Sequence, residues 1–343
     1  MRRLDVLLRR WITAAVSVCV LAGPAVALAD SPADAEGLPK LTAREEKFRD
    51  ERVTVTQKGT SAKASRNAAL QQLPLDRLAP AQRTKADAVL GSISLFRELP
   101  TVTFEVEPEV YRFFLNAPEV AVGIWKSMGI SKFSMTQRSA TEYDADCGDG
   151  TSGVIEILHR GENRCLIWCD GAFKGPLMLR PIRSQCLLSL DWTFERTRDN
   201  RPLVKHRAQL FVTFPSQTVE AAARVVAPIS SHVIDHNFRE ISLFLHMMSQ
   251  AMQKQPGWVE RTVAKMDDVL DSRKQQLLKL SAQVYVAHRK HELKKHGDED
   301  VTIDEVLTPT RQASGRSDII PANDESFERP AGTNLFPREP RTR

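Results

Sequence analysis

The sequence predicts an α+β protein in which an antiparallel sheet is closed by a long C-terminal helix, and two hydrophobic periods carry this prediction. Between Thr101 and Phe214, apolar and polar residues alternate with period two, which is typical of strands that bury one face. After Phe214 the period changes to 3.6, which is typical of an amphipathic helix. The connections between the strands are short, and short connections favour antiparallel pairing.

Turn-forming residues divide the alternating region into strands. Gly148-Asp149-Gly150, Gly161-Glu162-Asn163 and Asp199-Asn200-Arg201 each lie between apolar runs. In the clearest strand, alternate residues from Cys186 to Phe194 are apolar, and the intervening face, which includes Ser189, is expected to meet water. The strands are expected near residues 101–107, 132–137, 141–147, 153–160, 164–170, 176–182, 186–196 and 202–214.

Helical periodicity predicts the elements around the sheet. The closing helix carries an apolar stripe from Ile234 to Met252. A further amphipathic helix is predicted from Pro256 to His296, and Arg273 interrupts its heptad-like apolar stripe. Shorter helices are predicted over 80–91 and from Pro118.

The first 29 residues have the pattern of an export signal. Met1 to Arg10 is basic, Trp11 to Leu21 is apolar, and Ala27-Leu28-Ala29 has small residues at the two positions that a signal peptidase recognises. The apolar stretch is shorter than the roughly 20 residues that a membrane-spanning helix needs, so cleavage after Ala29 is expected. The protein is therefore predicted to be exported to the periplasm or the extracellular space, with no transmembrane span after signal cleavage.

The composition predicts segments of different order along the chain. Residues 30–79 hold few large apolar groups, so little burial offsets the entropy of ordering them. The expected divisions are a signal peptide at 1–29, a flexible spacer at 30–79, an α+β domain at 80–254, an amphipathic helix at 255–297 and a disordered tail at 298–343.

The charge does not indicate a nucleic-acid partner. The formal net charge is +5, but the export signal contains four Arg and one Asp and so carries +3 of it. The rest of the chain is left with +2, which is too little to attract a polyanion along a whole surface.

The order of the elements over roughly residues 100–254 resembles the helix-grip fold of the START and polyketide-cyclase superfamily. Local features that carry the resemblance are Ala117-Pro118-Glu119-Val120 with Trp125, the strand and turn from Tyr143 to Gly150, and Asn237-Phe238. The resemblance implies a curved sheet around the last helix and an apolar cavity for a lipid or another small hydrophobic molecule. The catalytic groups of the cyclase branch are not recognisable in this chain. With its export signal, the arrangement also resembles an uncharacterised family of secreted proteins of Planctomycetes.

Strand alternation predicts which side chains line such a pocket. A turn at Gly161-Glu162-Asn163 places three residue pairs on one face, namely Ile155 with Cys169, Ile157 with Ile167, and His159 with Cys165. The predicted ligand-binding residues are Tyr143, Ile155, Ile157, His159, Ile167, Leu188, Trp192 and His206. Tyr143, His159 and His206 would be the polar groups of an otherwise apolar pocket. A filled core in which both histidines are hydrogen-bonded is the alternative interpretation.

Four cysteines follow the cleavage site: Cys147, Cys165, Cys169 and Cys186. An even number in an exported chain predicts two disulfides. Cys165 and Cys169 lie on one strand about 13 Å apart, at a rise of about 3.3 Å per residue, and cannot bridge. Cys147 with Cys165 and Cys169 with Cys186, or the crossed arrangement, are the pairings that remain, and four buried thiols are the alternative.

No catalytic residue, metal site or cofactor is predicted. His232 and His236 have the i, i+4 spacing of two metal ligands, but the apolar stripe through Ile234 places both on the opposite, solvated face. No nucleophile, base and orienting group can be named together, so enzymatic activity is not favoured.

Two functions of different classes agree with these features. The first is an exported, non-enzymatic binding module for a lipid or other hydrophobic small molecule. The second is a structural or assembly protein of the cell envelope, acting as a homo-oligomer through the apolar stripe of residues 259–284.

We predict that the exported protein begins at Asp30, because the basic region, the apolar region and the Ala27-Leu28-Ala29 site agree on one cleavage position. Intact-mass measurement of the exported protein checks this prediction. A mature protein that still begins at Met1 would contradict it.

Overall fold

A computed structural model of the protein describes residues 43–174, 180–215 and 217–295. The predicted export signal, the start of the predicted spacer and the predicted C-terminal tail lie outside these residues. Most of the strand expected over 176–182 also lies outside them.

The described residues contain nine strands, which form one open antiparallel sheet. The strands are β1 (Val53–Gln57), β2 (Leu95–Glu98), β3 (Thr101–Glu105), β4 (Ser134–Gln137), β5 (Glu142–Asp146), β6 (Thr151–Arg160), β7 (Arg164–Phe173), β8 (Ile182–Arg196) and β9 (Pro202–Thr213). Their order is β1-β3-β9-β8-β7-β6-β5-β4, and β2 also pairs with β9. The predicted α+β class and antiparallel sheet are therefore confirmed.

Eight α-helices accompany the sheet within the described ranges. They are α1 (Ala43–Asp50), α2 (Lys63–Gln72), α3 (Pro80–Leu90), α4 (Pro108–Asn116), α5 (Pro118–Ser127), α6 (Gln217–Lys254), α7 (Pro256–Val263) and α8 (Asp271–Lys295). The helix α6 continues through Pro228, although a proline inside a helix removes one backbone hydrogen bond. None of the helices described is both long and apolar enough to cross a membrane.

The predicted register between β6 and β7 is correct on one side of an irregularity and wrong on the other. Ile155 lies opposite Cys169 and Ile157 opposite Ile167, as predicted. Between Ile157 and His159 the register shifts, so His159 lies opposite Leu166 instead of Cys165. One extra residue in a strand turns every following side chain to the other face, and strict alternation does not reveal such a residue.

The inner face of the sheet and the helices α4 to α8 enclose the larger hydrophobic core, which we call the inner core. In and beside β5, β8 and β9, alternate apolar residues lie in this core or pack against it. They are Tyr143, Ala145, Cys147, Leu188, Trp192, Val204, Leu210 and Val212.

The outer face is also covered, and here the structure differs from the sequence prediction. Residues 43–79 were expected to form a flexible spacer, but they contain α1, β1 and α2. The helices α2 and α3 pack on the outer face, where Ala86 and Val89 join Leu187 and Phe211 in a second core, the outer core. Ser189, expected to meet water, is therefore buried. Small alanines and scattered leucines are enough to cover a sheet, although their average hydrophobicity resembles that of a linker.

The C-terminal residues form two helices, α7 and α8, instead of the single helix predicted over 256–296. Their stripe residues are buried against the same chain in the inner core, among them Val259, Val263, Met266 and Leu277. Leu270, in the connection between the two helices, is exposed. The apolar stripe of residues 259–284 is therefore buried within the chain. It does not form an exposed surface on which a coiled coil could assemble.

We predict that Leu187→Ala lowers the free energy of unfolding by about 2 to 5 kcal/mol, because the leucine is completely buried in the outer core. Urea unfolding of the mature protein measures the effect. The exposed Leu270→Ala is the matched control and should change stability by no more than about 0.5 kcal/mol. Equal effects of the two substitutions would show that α2 and α3 do not pack on the sheet.

Candidate ligand-binding site

The residues predicted to bind a ligand do not all lie together. Tyr143, Ile155, Ile157, Trp192 and His206 are buried on the inner side of the sheet. Ile167 and Leu188 are partly buried and pack against the same core. His159 does not share this environment, because the register shift in β6 removes it from the inner face. Seven of the eight residues therefore line the inner core.

His159 lies instead near the connection between α2 and α3. Its pKa is lowered by burial and by the positive charges of Arg77 and Arg164, while Asp76 raises it. Leu158, its neighbour, is buried in the outer core. His159 is therefore not a polar group of an inner pocket.

His206 is the centre of a buried chain of hydrogen bonds. Its Nδ1 atom lies 3.0 Å from the Tyr111 hydroxyl, and its Nε2 atom lies 2.9 Å from the Ser242 hydroxyl. Ser242 donates in turn to the carbonyl oxygen of Phe238 at 2.7 Å. A single arrangement satisfies all the groups: Tyr111 donates to Nδ1, and Nε2–H donates to Ser242.

This chain of hydrogen bonds gives His206 a structural role. Burial lowers the pKa of His206 to about 3, so the ring is neutral. The ring also stacks on Phe238 with 4.5 Å between centroids. The Ser242 proton is directed to the carbonyl oxygen of Phe238. His206 therefore cannot accept that proton as a base unless the hydrogen bond from Ser242 to Phe238 breaks. For His206, the alternative of a hydrogen-bonded core histidine fits the geometry.

Tyr143 and Glu119 form a different kind of polar group in the inner core. Tyr143 is on β5, Glu119 is in the first turn of α5, and both side chains are buried. Among the described residues, neither the Tyr143 hydroxyl nor the Glu119 carboxylate has a hydrogen-bond partner of regular geometry, but Arg160 makes a looser hydrogen bond with Tyr143. Glu119 acts on Tyr143 electrostatically: burial and the Glu119 charge both raise the pKa of Tyr143.

Two arginines accompany this pair. The Nε atom of Arg273, at the start of α8, lies 3.1 Å from Glu119 Oε1. Burial raises the pKa of Glu119, while the charges of Arg273 and Arg160 lower it. The Arg160 guanidinium also lowers the pKa of Tyr143, and its Nη2 atom lies 3.5 Å from the carbonyl oxygen of Leu115. We call Glu119, Tyr143, Arg160 and Arg273 the polar cluster.

Sequence reasoning identified only Tyr143 in this cluster. Arg273 was noted because it interrupts an apolar stripe, and the structure accounts for that interruption by its ion pair with Glu119. Glu119 is followed by six consecutive buried residues of α5. An acidic residue in so apolar a helix is a sequence signal for a buried charge. Nothing in the sequence placed Arg160 near them, because its position depends on the register shift in β6.

The cysteines lie along the inner face of the sheet. Cys169 is opposite Cys186 in the register of β7 and β8, whereas Cys165 is opposite Leu190. Cys165 is a buried thiol in this structure, and burial raises its pKa to about 11. Such a thiol is a poor nucleophile at neutral pH. The disulfides predicted from the even number of cysteines stay a prediction.

The α6 histidines have a different environment from the one predicted. His232 is exposed, but His236 is half-buried, with its Nδ1 atom 3.4 Å from Arg49 Nη1 of α1. Burial and the charge of Arg49 lower the pKa of His236 to about 4. Across the described residues, no group of three or more His, Cys, Asp or Glu is placed to hold a metal ion.

No protein-family model matches this chain, and no curated protein matches it. Among solved structures, a conserved protein from Geobacillus kaustophilus is 11% identical with a TM-score of 0.30, and the match covers 43% of this chain and 93% of that one. An uncharacterised protein from Rhizobium leguminosarum is 13% identical with a TM-score of 0.28, covering 44% of this chain and 95% of that one. At these TM-scores, neither similarity establishes the fold or the function of this chain.

We predict that His206 makes the protein less stable as the pH falls. The folded-state pKa of about 3 lies below the ordinary value of 6.5, so between these values the unfolded chain binds a proton that the folded chain does not. The contribution of His206 to the free energy of unfolding is therefore fully present above pH 6.5. It decreases as the pH falls toward 3, by at most about 1.4 kcal/mol per pH unit.

Urea unfolding at pH 7.5 and pH 5 measures this dependence, and His206→Gln should weaken it because glutamine does not titrate. The other buried histidines titrate in both proteins, so their contribution cancels in the comparison. Identical pH dependence in the two proteins would show that His206 is accessible to protons.

Proposed function

We propose that this protein is an exported binding protein for a lipid or another hydrophobic small molecule and carries out no covalent chemistry. In this proposal the sheet and α6 form a helix-grip-like chamber, and the ligand lies between the inner face of the sheet and the helices that cover it. The long amphipathic helix α6 along an antiparallel sheet supports this arrangement.

The observation that carries the proposal is a pair of buried polar groups, Glu119 and Tyr143, that make no hydrogen bond of regular geometry inside an apolar core, although Arg273 forms an ion pair with Glu119. A filled core hydrogen-bonds nearly all of its buried polar atoms, and a buried group without a partner costs about 1 to 3 kcal/mol. In the same core the chain from Tyr111 through His206 to Ser242 is hydrogen-bonded. Among the described residues, the indole nitrogens of Trp125 and Trp192 and the side chain of Asn237 also lack regular hydrogen bonds. Buried polar groups that lack regular hydrogen bonds are accounted for if a ligand completes them.

The environment of the pair agrees with a hydrophobic ligand. Val120 and Ile124 of α5 and Ile155 of β6 are buried in the same core. Ligand sites of this class have mostly apolar walls and a few polar groups that fix the orientation of the ligand.

The burial of the stripe of residues 259–284 argues against the second function, assembly through this stripe. Val259, Val263 and Leu277 are buried within the chain and cannot also form a coiled coil.

We predict that protein purified from its own cell envelope carries a hydrophobic ligand, which native mass spectrometry and lipid extraction detect. Replacing inward Ile157 with Trp should lower the amount of bound ligand severalfold, because the larger ring occupies the space of the ligand. If the space is instead filled by protein, the same change overpacks the core and costs about 1 to 3 kcal/mol with no ligand to lose.

Thr193→Trp is the matched control, because Thr193 is exposed on β8 and the same ring there should change neither ligand nor stability. Native protein without any ligand, together with an Ile157→Trp variant that is only destabilised, would overturn the proposed function.

A further inference from the structure

We propose that Cys169 and Cys186 form a reversible disulfide between the central strands β7 and β8, and that Cys147 and Cys165 remain reduced. This link would form in the oxidising compartment to which the chain is predicted to be exported, and it requires no bound ligand. A single link on the inner face of the sheet would then replace the two disulfides that the number of cysteines predicts.

The register of β7 and β8 brings these two cysteines together. Cys169 lies directly opposite Cys186 in a continuous ladder of pairs. Directly opposite residues point to the same face of a sheet, and both side chains are buried in the inner core. The Cα atoms of such a pair lie about 4.5 to 5.5 Å apart, which is within the span of about 4.4 to 6.8 Å that a disulfide bridges.

The same register keeps Cys165 out of reach of both cysteines. Cys165 is opposite Leu190, which is separated from Cys186 by about 13 Å along β8 at a rise of about 3.3 Å per residue. Cys165 is separated from Cys169 by the same distance along β7. A disulfide joins Cα atoms that are no more than about 7 Å apart, so Cys165 can bridge to neither.

Cys147 lies on the far side of β6 from the other three cysteines. Its amide N–H donates to the carbonyl oxygen of Thr151 at 2.9 Å, and Thr151 is opposite Phe173 at the end of β7. Cys147 is therefore about two strand spacings, or about 10 Å, from β7 and further still from β8. None of the other mature cysteines, all of which lie in the described part of the chain, is within bridging distance of it.

The position of the pair in the ladder makes its disulfide reversible. The amide N–H of Trp192 donates to the carbonyl oxygen of Asn163 at 3.0 Å, and hydrogen-bonded pairs recur at every second position of an antiparallel ladder. Cys169 and Cys186 are therefore also a hydrogen-bonded pair. The Cβ atoms of such a pair are about 5.5 Å apart, whereas a disulfide needs about 3.5 to 4.5 Å. The strands must move together to form the bond, and this strain makes the bond easier to reduce.

Formation of the link requires an oxidant, and a small disulfide such as glutathione disulfide is sufficient. A thiolate of the pair attacks one sulfur of the oxidant and releases one glutathione thiol; the second thiolate then attacks the mixed disulfide and releases the other. The two cysteines lose two protons and two electrons, and the oxidant becomes two thiols. Because Cys169 and Cys186 are buried, this exchange takes place while the chain folds or when the strands open locally.

The test is refolding of the reduced, full-length mature protein in a mixture of reduced and oxidised glutathione, followed by alkylation of thiols in urea. We expect two of the four mature cysteines to be protected from alkylation, with no glutathione attached. After tryptic digestion, mass spectrometry should find residues 165–174 linked to residues 184–196.

Three single variants identify the linked residues. Cys165→Ala is the matched control, because Cys165 and Cys169 lie on one tryptic peptide and are both buried on the inner face. Cys165→Ala should keep the link, whereas Cys169→Ala and Cys186→Ala should each abolish it. Because either of the last two variants is sufficient, a folding defect in one of them leaves the test intact.

The ratio of reduced to oxidised glutathione tests reversibility. Excess reduced glutathione should break the link while the protein stays folded, which circular dichroism monitors. Alkylation of all four cysteines at every ratio, or a link that contains Cys147 or Cys165, would overturn the pairing. A link that persists in excess reduced glutathione would show that the bond is unstrained and would overturn its reversibility.

Discussion

Burial of the central strands on both faces is the constraint on which the rest of the structure depends. Leu187 and Leu190 lie on one strand, β8, yet the first belongs to the outer core and the second to the inner core. A strand of this kind needs a layer on each side, so α2 and α3 must fold onto one face and α4 to α8 onto the other. The helix α1 joins α6 on the inner side, where buried Arg49 lies 3.4 Å from Glu240. Burial raises the pKa of Glu240 to about 7, and Arg49 opposes the shift.

The polar groups inside the inner core are stabilised in two different ways. The chain around His206 is closed, because each donor has an acceptor and the last proton ends on a backbone carbonyl. Glu119 and Tyr143 are held by arginines instead: Arg273 forms an ion pair with Glu119 at 3.1 Å, and the charge of Arg160 acts on both groups. A closed chain of hydrogen bonds rigidifies a core, whereas a buried charge is stabilised by an opposite charge placed beside it.

The C-terminal helices determine the shape of the polar cluster. A side chain at Gly123 of α5 would bring its Cβ atom within 2.5 Å of Val269 and 2.8 Å of Met266, so the connection between α7 and α8 packs against α5 only because residue 123 is glycine. This close contact accompanies the ion pair between Arg273 and Glu119. A charge in an apolar stripe, which is unfavourable in a coiled coil, is here one half of a compensated pair.

The sequence by itself determined the antiparallel sheet, the inward face of most strands and the long helix α6, because hydrophobic periodicity is a local property that burial imposes directly. It did not determine the outer layer, since the alanines and leucines of α2 become a core only when the sheet is present to receive them. Only the tertiary structure decided that His159 leaves the inner face, because one extra residue in β6 reverses the alternation. Likewise, Glu119, Tyr143 and Arg273 come from elements far apart in the chain, and only long-range packing brings their charges and hydrogen-bonding groups to one place.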